Sequence, residues 1–316
     1  MADRGKDINK AKELLEKGEL VAIPTETVYG LAANALDADA VLKIFQVKNR
    51  PQFDPLIIHI SAPEKVRLYA AHVPLKAEAL AAAFWPGPLT LLLEKQNIIP
   101  DLVTAGLPTV GIRCPDHPLT HGLLESISFP LAAPSANPFG YISPTTPAHV
   151  EDQLGSKIHY ILDGGPCRIG LESTIVGFDN EGAIVFRTGG LTIEDIEKVA
   201  GRVRMQLTTS SNPLSPGQLH SHYAPKKKLL AGNLEELMSE YEAQKVGVLS
   251  FQKDRGVRFQ YILSPSGNPD EAARNFFSGL RSLDASPVEV ILAEYVPEAG
   301  LGKAINDRLR RASSGK

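Results

Sequence analysis

Short apolar runs that alternate with helical patterns are the feature that most constrains the fold of this chain. Runs such as LIIHI, TVGIRC and STIVGF are rich in β-branched residues, and patterns such as KAEALAAAF and TIEDIEKVA lie between them. Interleaved strands and helices build layered structures, and STIVGF and AIVFR are spaced like a hairpin. The sequence therefore predicts an α/β fold with a mixed sheet.

Helix boundaries in the first part of the chain are marked by capping residues. Asp7 precedes INKAKELLEK, which Gly18 ends, and Asp37 precedes VLKIFQVK. A carboxylate at the N-cap position accepts hydrogen bonds from the unpaired N–H groups of the first turn. We therefore expect a helix to begin after each of the two aspartates.

A second alternation follows QLTTSSNPLSPGQLHSHYAPKKK, a segment dense in Ser, Thr, Pro and Gly. Such a composition is typical of a linker or a long functional loop. Beyond it KLLAG, KVGVLSF and VEVILAEYV read as strands, and Asn268-Pro269 is a strong helix start. We predict one domain over 1–204, a linker or lid loop over 205–226 and a small Rossmann-like parallel α/β domain over 227–316.

The bulk composition excludes several classes of protein. The 316 residues carry a net charge of −3, which leaves direct tRNA contact open but does not indicate it. The two cysteines, Cys114 and Cys167, are too few for a disulfide scaffold. The charged N-terminus lacks the apolar core of a signal peptide, and no apolar run is long enough to cross a bilayer. We expect a cytoplasmic protein with no membrane partner.

Polar side chains follow many of the predicted strands. They are Thr25, Glu26, Thr27, Arg113, Ser135, Asn137, Ser143, Ser173 and Arg187. Each alone is explained by turns and helix caps. As a set they fit a ligand site, because ligands of open α/β sheets collect beyond the strand ends, where arginines and hydroxyls hold phosphate oxygens.

Two cations, Lys48 and Arg50, end a helix directly before a strand that contains His59. Cations at a helix C-terminus are ordinary partners of the helix dipole, and a lone histidine in a strand is more often part of the core. The chain shows no GxSxG elbow and no cysteine with an evident base. Cations and hydroxyls without a nucleophile suit the charge stabilisation that phosphoryl or nucleotidyl transfer requires.

Other motifs are weaker. GLGK at 300–303 lacks the third glycine of a dinucleotide fingerprint, and no GxxxxGK[ST] loop occurs. His117 and His121 lie four residues apart near Cys114, but nothing supplies the general base or second ligand pair of a zinc site.

Several ordered segments resemble the YrdC family: IPTETVYGLAANA, KNRP, PLIIHI, WPGPLTLLL, TVGIRCPDHP, LAAPSANPFGYISPTT, LESTIVGF and FRTGG. SPGQLHSHYAPKKK and the small C-terminal domain resemble its two-domain form. The resemblance implies an N-terminal twisted mixed sheet with helices around a large concave cavity. It also implies synthesis of threonylcarbamoyl-AMP from L-threonine, bicarbonate and ATP, with release of pyrophosphate. A separate transferase complex would then modify a tRNA adenosine beside the anticodon.

The resemblance also implies roles for single residues. Lys48 and Arg50 would be catalytic. ATP would be bound by Arg50, Thr109, Ala133, Ser135, Asn137, Ser143, Arg187 and Tyr223. Threonine would be bound by Thr27, His59, Arg113 and Ser173. Mg²⁺ would arrive on the ATP phosphates, with its protein ligands unknown, and no organic cofactor is expected. The loop from Ser215 to Pro225 would act as a lid.

Three positions depart from the family pattern. Glu26 stands where Asp is common and Gln218 where Met is common, and neither is expected to touch a binding residue. Asp54 stands where Asn often precedes Pro-Leu, so it could weaken phosphate binding or help to hold Mg²⁺. Alternative functions are a YrdC-like carbamoyl-transfer enzyme, a non-enzymatic RNA-binding module and a regulatory nucleotide binder.

Overall fold

The computed structural model describes residues 1–207, 215–217 and 222–314. The N-terminal part of these residues builds one mixed sheet of eleven strands, in the order β1-β8-β2-β3-β7-β4-β6-β5-β9-β10-β11. The strands are β1 Asp3–Gly5, β2 Val21–Ile23, β3 Gly30–Asn34, β4 Ile57–His59, β5 Leu89–Glu94, β6 Thr109–Arg113, β7 Leu131–Ala132, β8 Tyr160–Leu162, β9 Thr174–Asp179, β10 Gly182–Arg187 and β11 Arg204–Met205. The predicted mixed sheet is confirmed, including the antiparallel pair β9–β10.

Helices connect these strands. They are α1 Ile8–Glu16, α2 Ala38–Lys48, α3 Val66–Tyr69, α4 Leu75–Phe84, α5 Asp101–Thr104, α6 Pro118–Ser126, α7 Pro147–Leu154 and α8 Ile193–Ala200. The Asp7 carboxylate caps α1, and the Asp37 carboxylate accepts hydrogen bonds from Asp39 N and Ala40 N at the start of α2. Both predicted caps are therefore confirmed.

The C-terminal residues form a separate sheet of parallel strands in the order β12-β15-β13-β14. Its elements are β12 Lys228–Ala231, α9 Leu234–Ser239, β13 Val246–Ser250, β14 Phe259–Ile262, α10 Pro269–Ala285, β15 Val290–Ala293 and α11 Gly302–Ser313. Asn268 caps α10, and Pro269 occupies its first turn. The predicted small parallel α/β domain is confirmed, whereas the exact domain limits remain predictions.

Strand register at the centre of the large sheet brings polar residues together. β4 pairs with β6 in parallel, so that Ile57 lies opposite Gly111 and His59 opposite Arg113. Successive side chains of a strand point to opposite faces, so Ile57 and His59 share one face and Ile58 occupies the other. Ile58 is fully buried in the main apolar core, a burial that contributes about 1.5–3 kcal/mol to folding. The opposite face is left free for a cavity.

The C-terminal domain packs against loops at the edge of this cavity. Val28 and Ile142 of the N-terminal domain belong to the same apolar cluster as Phe276 and Phe277 of α10. Gly170, with φ +83°, allows the closest approach, because a Cβ atom there would lie 2.6 Å from Ala273 O. The shared cluster fixes α10 and α11 beside the cavity.

Some elements differ from the sequence prediction. The edge strand β1 consists of Asp3, Arg4 and Gly5, which carry no apolar pattern, yet it pairs in parallel with β8. An edge strand forms backbone hydrogen bonds with one neighbour and can do so without apolar side chains. The apolar pattern that predicts the other strands is therefore missing from β1. Helices α3 and α5 have four residues each, too few to show a helical period.

Candidate active site

A cavity of about 50 Å³ lies between one face of the large sheet and the interdomain segment that carries Tyr223. Its lining residues are Val28, Arg50, Ile57, His59, Arg113, Ala133, Pro134, Ser135, Glu172, Ser173, Arg187, Pro216, Gly217, His222 and Tyr223. Eight predicted site residues are thereby brought together: Arg50, His59, Arg113, Ala133, Ser135, Ser173, Arg187 and Tyr223. Three of them are arginines, so the cavity suits anionic ligands.

His59 and Arg113 form one end of the cavity, side by side on β4 and β6. His59 is 3% exposed and its Nδ1 atom has no hydrogen-bond partner. Burial, helped by the positive Arg113, lowers the pKa of His59 to about 3. His59 is therefore a neutral imidazole in the wall of the cavity. It also borders a second cavity that reaches Ser61 and Tyr69.

Arg113 faces a buried carboxylate. Its Nη2 atom lies 2.7 Å from Glu26 Oε1, and both side chains are at most 5% exposed. The other carboxylate oxygen, Oε2, accepts a hydrogen bond from Asp116 N at 3.1 Å. The expectation that Glu26 touches no binding residue is therefore wrong. Glu26 follows β2 after Pro24 and Thr25, and its long side chain reaches Arg113 at the end of β6. The order of the strands in the sheet brings these two residues together, and the sequence alone does not show it.

Arg50 faces a second buried carboxylate, Asp54. Arg50 Nη2 lies 2.9 Å from Asp54 Oδ2, while Nε and Nη2 donate to the carbonyl oxygens of Asp54 and Pro55. Neither oxygen of the fully buried Asp54 carboxylate receives a well-aligned hydrogen bond. Burial raises the pKa of Asp54, and the positive charge of Arg50 opposes that rise. The Asp54 carboxylate thus partly neutralises the positive charge of Arg50.

Lys48, at the end of α2, does not line the cavity. Its ammonium group donates to the carbonyl oxygens of Ser135 and Asn137. Burial and the neighbouring Arg50 lower the pKa of Lys48 far below its usual value. In this structure Lys48 positions the segment that carries Ser135, and it contacts the cavity only through that segment.

Ser173 and Arg187 form the wall beyond β5. The Ser173 hydroxyl lies 2.7 Å from Thr90 Oγ1, and Arg187 donates to both the carbonyl and the hydroxyl oxygen of Ser173. Arg187 Nη1 also donates to Pro216 O at 3.2 Å. Arg187 therefore connects the sheet to the interdomain segment.

Tyr223 covers the cavity from the interdomain side. It is 1% exposed, and its backbone adopts a left-handed conformation with φ +65°. The ring of His222 meets it edge-on, with centroids 4.2 Å apart. A Cβ atom at Gly217 would lie 2.7 Å from Tyr223 Oη, so that position has no room for a side chain. Residues 218–221 of the predicted lid, including Gln218, lie outside the described residues.

Glu172 is a cavity residue that the sequence analysis missed. Its Oε1 atom accepts a hydrogen bond from Ser143 Oγ at 2.5 Å, and its Oε2 atom accepts from Arg308 Nε and Nη2 at 3.2 and 3.1 Å. Glu172 directly precedes Ser173, which the sequence analysis did single out. A charged residue at the entrance of the buried strand β9 was the available signal.

Five predicted site residues do not line the cavity: Thr27, Lys48, Thr109, Asn137 and Ser143. Thr27 is fully buried beside Thr25, with 2.8 Å between the two hydroxyl oxygens, and its neighbour Val28 lines the cavity. Asn137 donates to the carbonyl oxygens of Pro138 and Tyr141. Thr109 begins β6, four residues before Arg113 and therefore about 13 Å from it.

Metal ligands are sparse around the cavity. In the described part of the chain no group of three or more His, Cys, Asp and Glu side chains could hold an ion. Mg²⁺ prefers oxygen ligands and is commonly held by one or two carboxylates together with substrate phosphates.

The fold and the cavity define a class of protein: an α/β domain with an arginine-lined cavity, against which a second, smaller domain packs. Residues 13–189 match the Sua5, YciO and YrdC family, described as "Telomere recombination". Residues 191–314 match the family described as "Threonylcarbamoyl-AMP synthase, C-terminal domain". The chain therefore belongs to the Sua5, YciO and YrdC family and carries its Sua5 C-terminal domain.

Particular relatives are similar over almost the whole chain. The threonylcarbamoyl-AMP synthase of Pyrococcus abyssi is 42% identical over 97% of this chain and 94% of its own length. That of Bacillus subtilis is 41% identical over 98% and 93%. The crystal structure of P. abyssi Sua5 complexed with L-threonine has a TM-score of 0.93 and 41% identity, covering 99% of this chain and 97% of that one.

Proposed function

We propose that this protein is a threonylcarbamoyl-AMP synthase that uses L-threonine and ATP. The observation that carries this function is the cavity itself, which is lined by His59 and Arg113 together with Arg50 and Arg187. The full-length similarity to threonylcarbamoyl-AMP synthases supports the same function. No described helix has both the length and the apolar character needed to cross a membrane.

Threonine would bind at the end formed by His59 and Arg113. A guanidinium fork binds a carboxylate through two parallel hydrogen bonds. To do so, Arg113 has to exchange or share its contact with Glu26. A ring nitrogen of the neutral His59 would then hold a polar atom of threonine, and the Ser173 hydroxyl would hold another.

The reaction is a nucleotidyl transfer. The amine of threonine adds to bicarbonate and water is lost, which gives a carbamate. A carbamate oxygen then attacks the α-phosphorus of ATP, and pyrophosphate leaves. Arg50 and Arg187 would offset the charge that develops on the phosphate oxygens. Bound Mg²⁺ would neutralise charge on the phosphates. Lys48, as placed, would act by positioning Ser135, and reaches a phosphate only after leaving its two carbonyl partners.

The product would serve a downstream transferase complex that modifies a tRNA adenosine beside the anticodon. We propose a cytoplasmic location, where ATP and tRNA are both available.

The test is to measure pyrophosphate release by the purified chain, with threonine, bicarbonate and Mg-ATP each omitted in turn. Release that depends on all of them is expected. Release that requires carbamoyl phosphate in place of threonine and bicarbonate would favour a carbamoyl-transfer relative instead. Binding of tRNA with no ATP turnover would favour an RNA-binding module.

A further inference from the structure

A buried ion pair connects the last helix of the chain to the wall of the cavity. Arg308, on α11, is fully buried and contacts Glu172 through Nε and Nη2. Glu172 is 6% exposed and lines the cavity. The two residues are 136 positions apart and belong to different domains. Loss of the pair would leave Glu172 buried without its charged partner, whereas Arg308 would keep Asp307 Oδ2 at 3.4 Å from its Nη1 atom.

Arg308 contacts two further parts of the site. Its Nη1 atom donates to Thr188 O, in the residue that follows β10. Its guanidinium carbon lies 5.3 Å from the centre of the Tyr223 ring, within the range of a cation–π contact. Arg308 is therefore held between the cavity wall and the ring that covers the cavity.

Glu172 in turn controls a hydroxyl. Ser143, which the sequence analysis assigned to ATP, donates its hydroxyl hydrogen to Glu172 Oε1. A hydroxyl that donates to a carboxylate cannot donate to a phosphate at the same time. The position of Glu172 thus decides whether Ser143 is available to an anionic ligand.

We propose that Arg308 is a positioning residue for the nucleotide, through which the C-terminal domain holds Glu172 and Tyr223 in place around the ATP phosphates. This inference rests on the proposed function. Arg308 forms no hydrogen bond with His59, Arg113 or Ser173, so we expect its effect on the nucleotide to exceed its effect on threonine.

The experiment compares Arg308→Lys with Arg310→Lys. Lysine keeps the charge but loses the planar fork that grips Glu172 and stacks on Tyr223. Arg310 is on the same helix but pairs with Glu298 at the surface, with 56% of its side chain exposed, which makes it a matched control. We expect Arg308→Lys to raise the KM for ATP about tenfold or more and leave the Kd for threonine, measured by calorimetry, within about twofold. Arg310→Lys should change neither.

Glu172→Gln provides an independent arm, because it is nearly isosteric and does not depend on how Arg308→Lys folds. It should change the KM for ATP, because it breaks the charged contact with Arg308 and also frees the Ser143 hydroxyl to donate to a phosphate. The KM for ATP of the double variant should differ from the product of the two single effects, because both changes break the same contact. Such non-additivity would not arise from general loss of structure.

The outcomes separate the two proposals. A wild-type chain that releases pyrophosphate, combined with an unchanged KM for ATP in Arg308→Lys or Glu172→Gln, overturns the role of Arg308 and leaves the function standing. An equal loss of threonine and ATP binding also overturns it, since a merely structural role predicts that result. If the wild-type chain shows no threonine-dependent pyrophosphate release, the proposed function itself is overturned. The role of Arg308 is then tested by comparing the Kd for ATP of Arg308→Lys with that of the wild-type chain.

Discussion

Arg50 and Arg113 each lie against a buried carboxylate, and these two contacts set what a substrate anion has to displace. Asp54 is the acid beside Arg50, and Glu26 is the acid beside Arg113. A fixed internal carboxylate lowers the net charge of the cavity and keeps each arginine in place when no ligand is bound. The same carboxylate competes with an anionic ligand for the guanidinium group of its arginine.

Asp54→Asn tests this competition. The amide keeps the shape of the side chain and removes its charge, so Arg50 becomes freer to bind phosphate. We expect the KM for ATP to fall severalfold while the KM for threonine stays the same, as measured by steady-state pyrophosphate release. A higher KM for ATP together with a higher Mg²⁺ requirement would show instead that Asp54 helps to hold the metal.

Arg113→Lys tests the threonine end of the cavity. A lysine cannot form two parallel hydrogen bonds to a carboxylate, so the KM for threonine should rise about tenfold or more. The KM for ATP should change little. Arg168→Lys is the control, because Arg168 pairs with Asp116 on the surface with 66% of its side chain exposed. Equal effects of the two substitutions would remove Arg113 from the threonine site.

At the scale of single elements, the end of α2 determines where Arg50 lies, and the start of that helix is fixed by Asp37. Asp37→Ala removes the acceptor for two N–H groups and should lower the free energy of unfolding by about 1 kcal/mol. Urea denaturation measures the change. Asp39→Ala, an exposed change in the same first turn, should cost less. Similar losses for both would mean that the cap contributes nothing of its own.

The elements that the sequence predicted well are those with local causes. Asp7, Asp37 and Asn268 cap their helices through contacts within three residues, so the pattern alone was sufficient. The pairing of β1 with β8 joins residues such as Asp3 and Tyr160, and nothing local in DRG records it. Strand order therefore had to come from the structure.

The residues of the candidate site also divide into those with a local sequence signal and those whose contacts join distant segments. Arg113 could be proposed because it marks the end of a recognisable strand, whereas His59, which alone is explained as a core residue, was assigned to the site by the family resemblance. The contacts of Glu26 with Arg113 and of Glu172 with Arg308 could not be proposed, because they join distant segments and depend on how the sheets and domains pack. Lys48 was correctly placed at a helix end, but its partners are backbone carbonyls that carry no sequence signature.

At the scale of the whole molecule, two buried histidines make stability depend on pH. Burial lowers the pKa of His59 to about 3, and burial followed by the charge of Arg50 lowers the pKa of His222 well below its usual value. Between the unfolded pKa of about 6.5 and these folded values, the unfolded chain binds more protons than the folded chain. Stability should therefore fall as the pH drops below 6.5.

We expect the free energy of unfolding to fall between pH 7 and pH 5 by about 2 kcal/mol for each buried histidine that stays neutral. Urea titrations at the two pH values measure this difference. His59→Gln should reduce the loss by one histidine's share, whereas His121→Gln, at a partly exposed surface position, should not. A free energy of unfolding that is the same at both pH values would contradict the burial of neutral imidazoles.

The left-handed backbone of Tyr223 has a consequence for the way its ring is held over the cavity. A residue with a Cβ atom gives up about 1–2 kcal/mol in that conformation, so neighbouring contacts such as the Arg308 guanidinium have to hold it there. If those contacts were lost, relief of the backbone strain would favour displacement of the ring, so the cover of the cavity depends on the C-terminal helix.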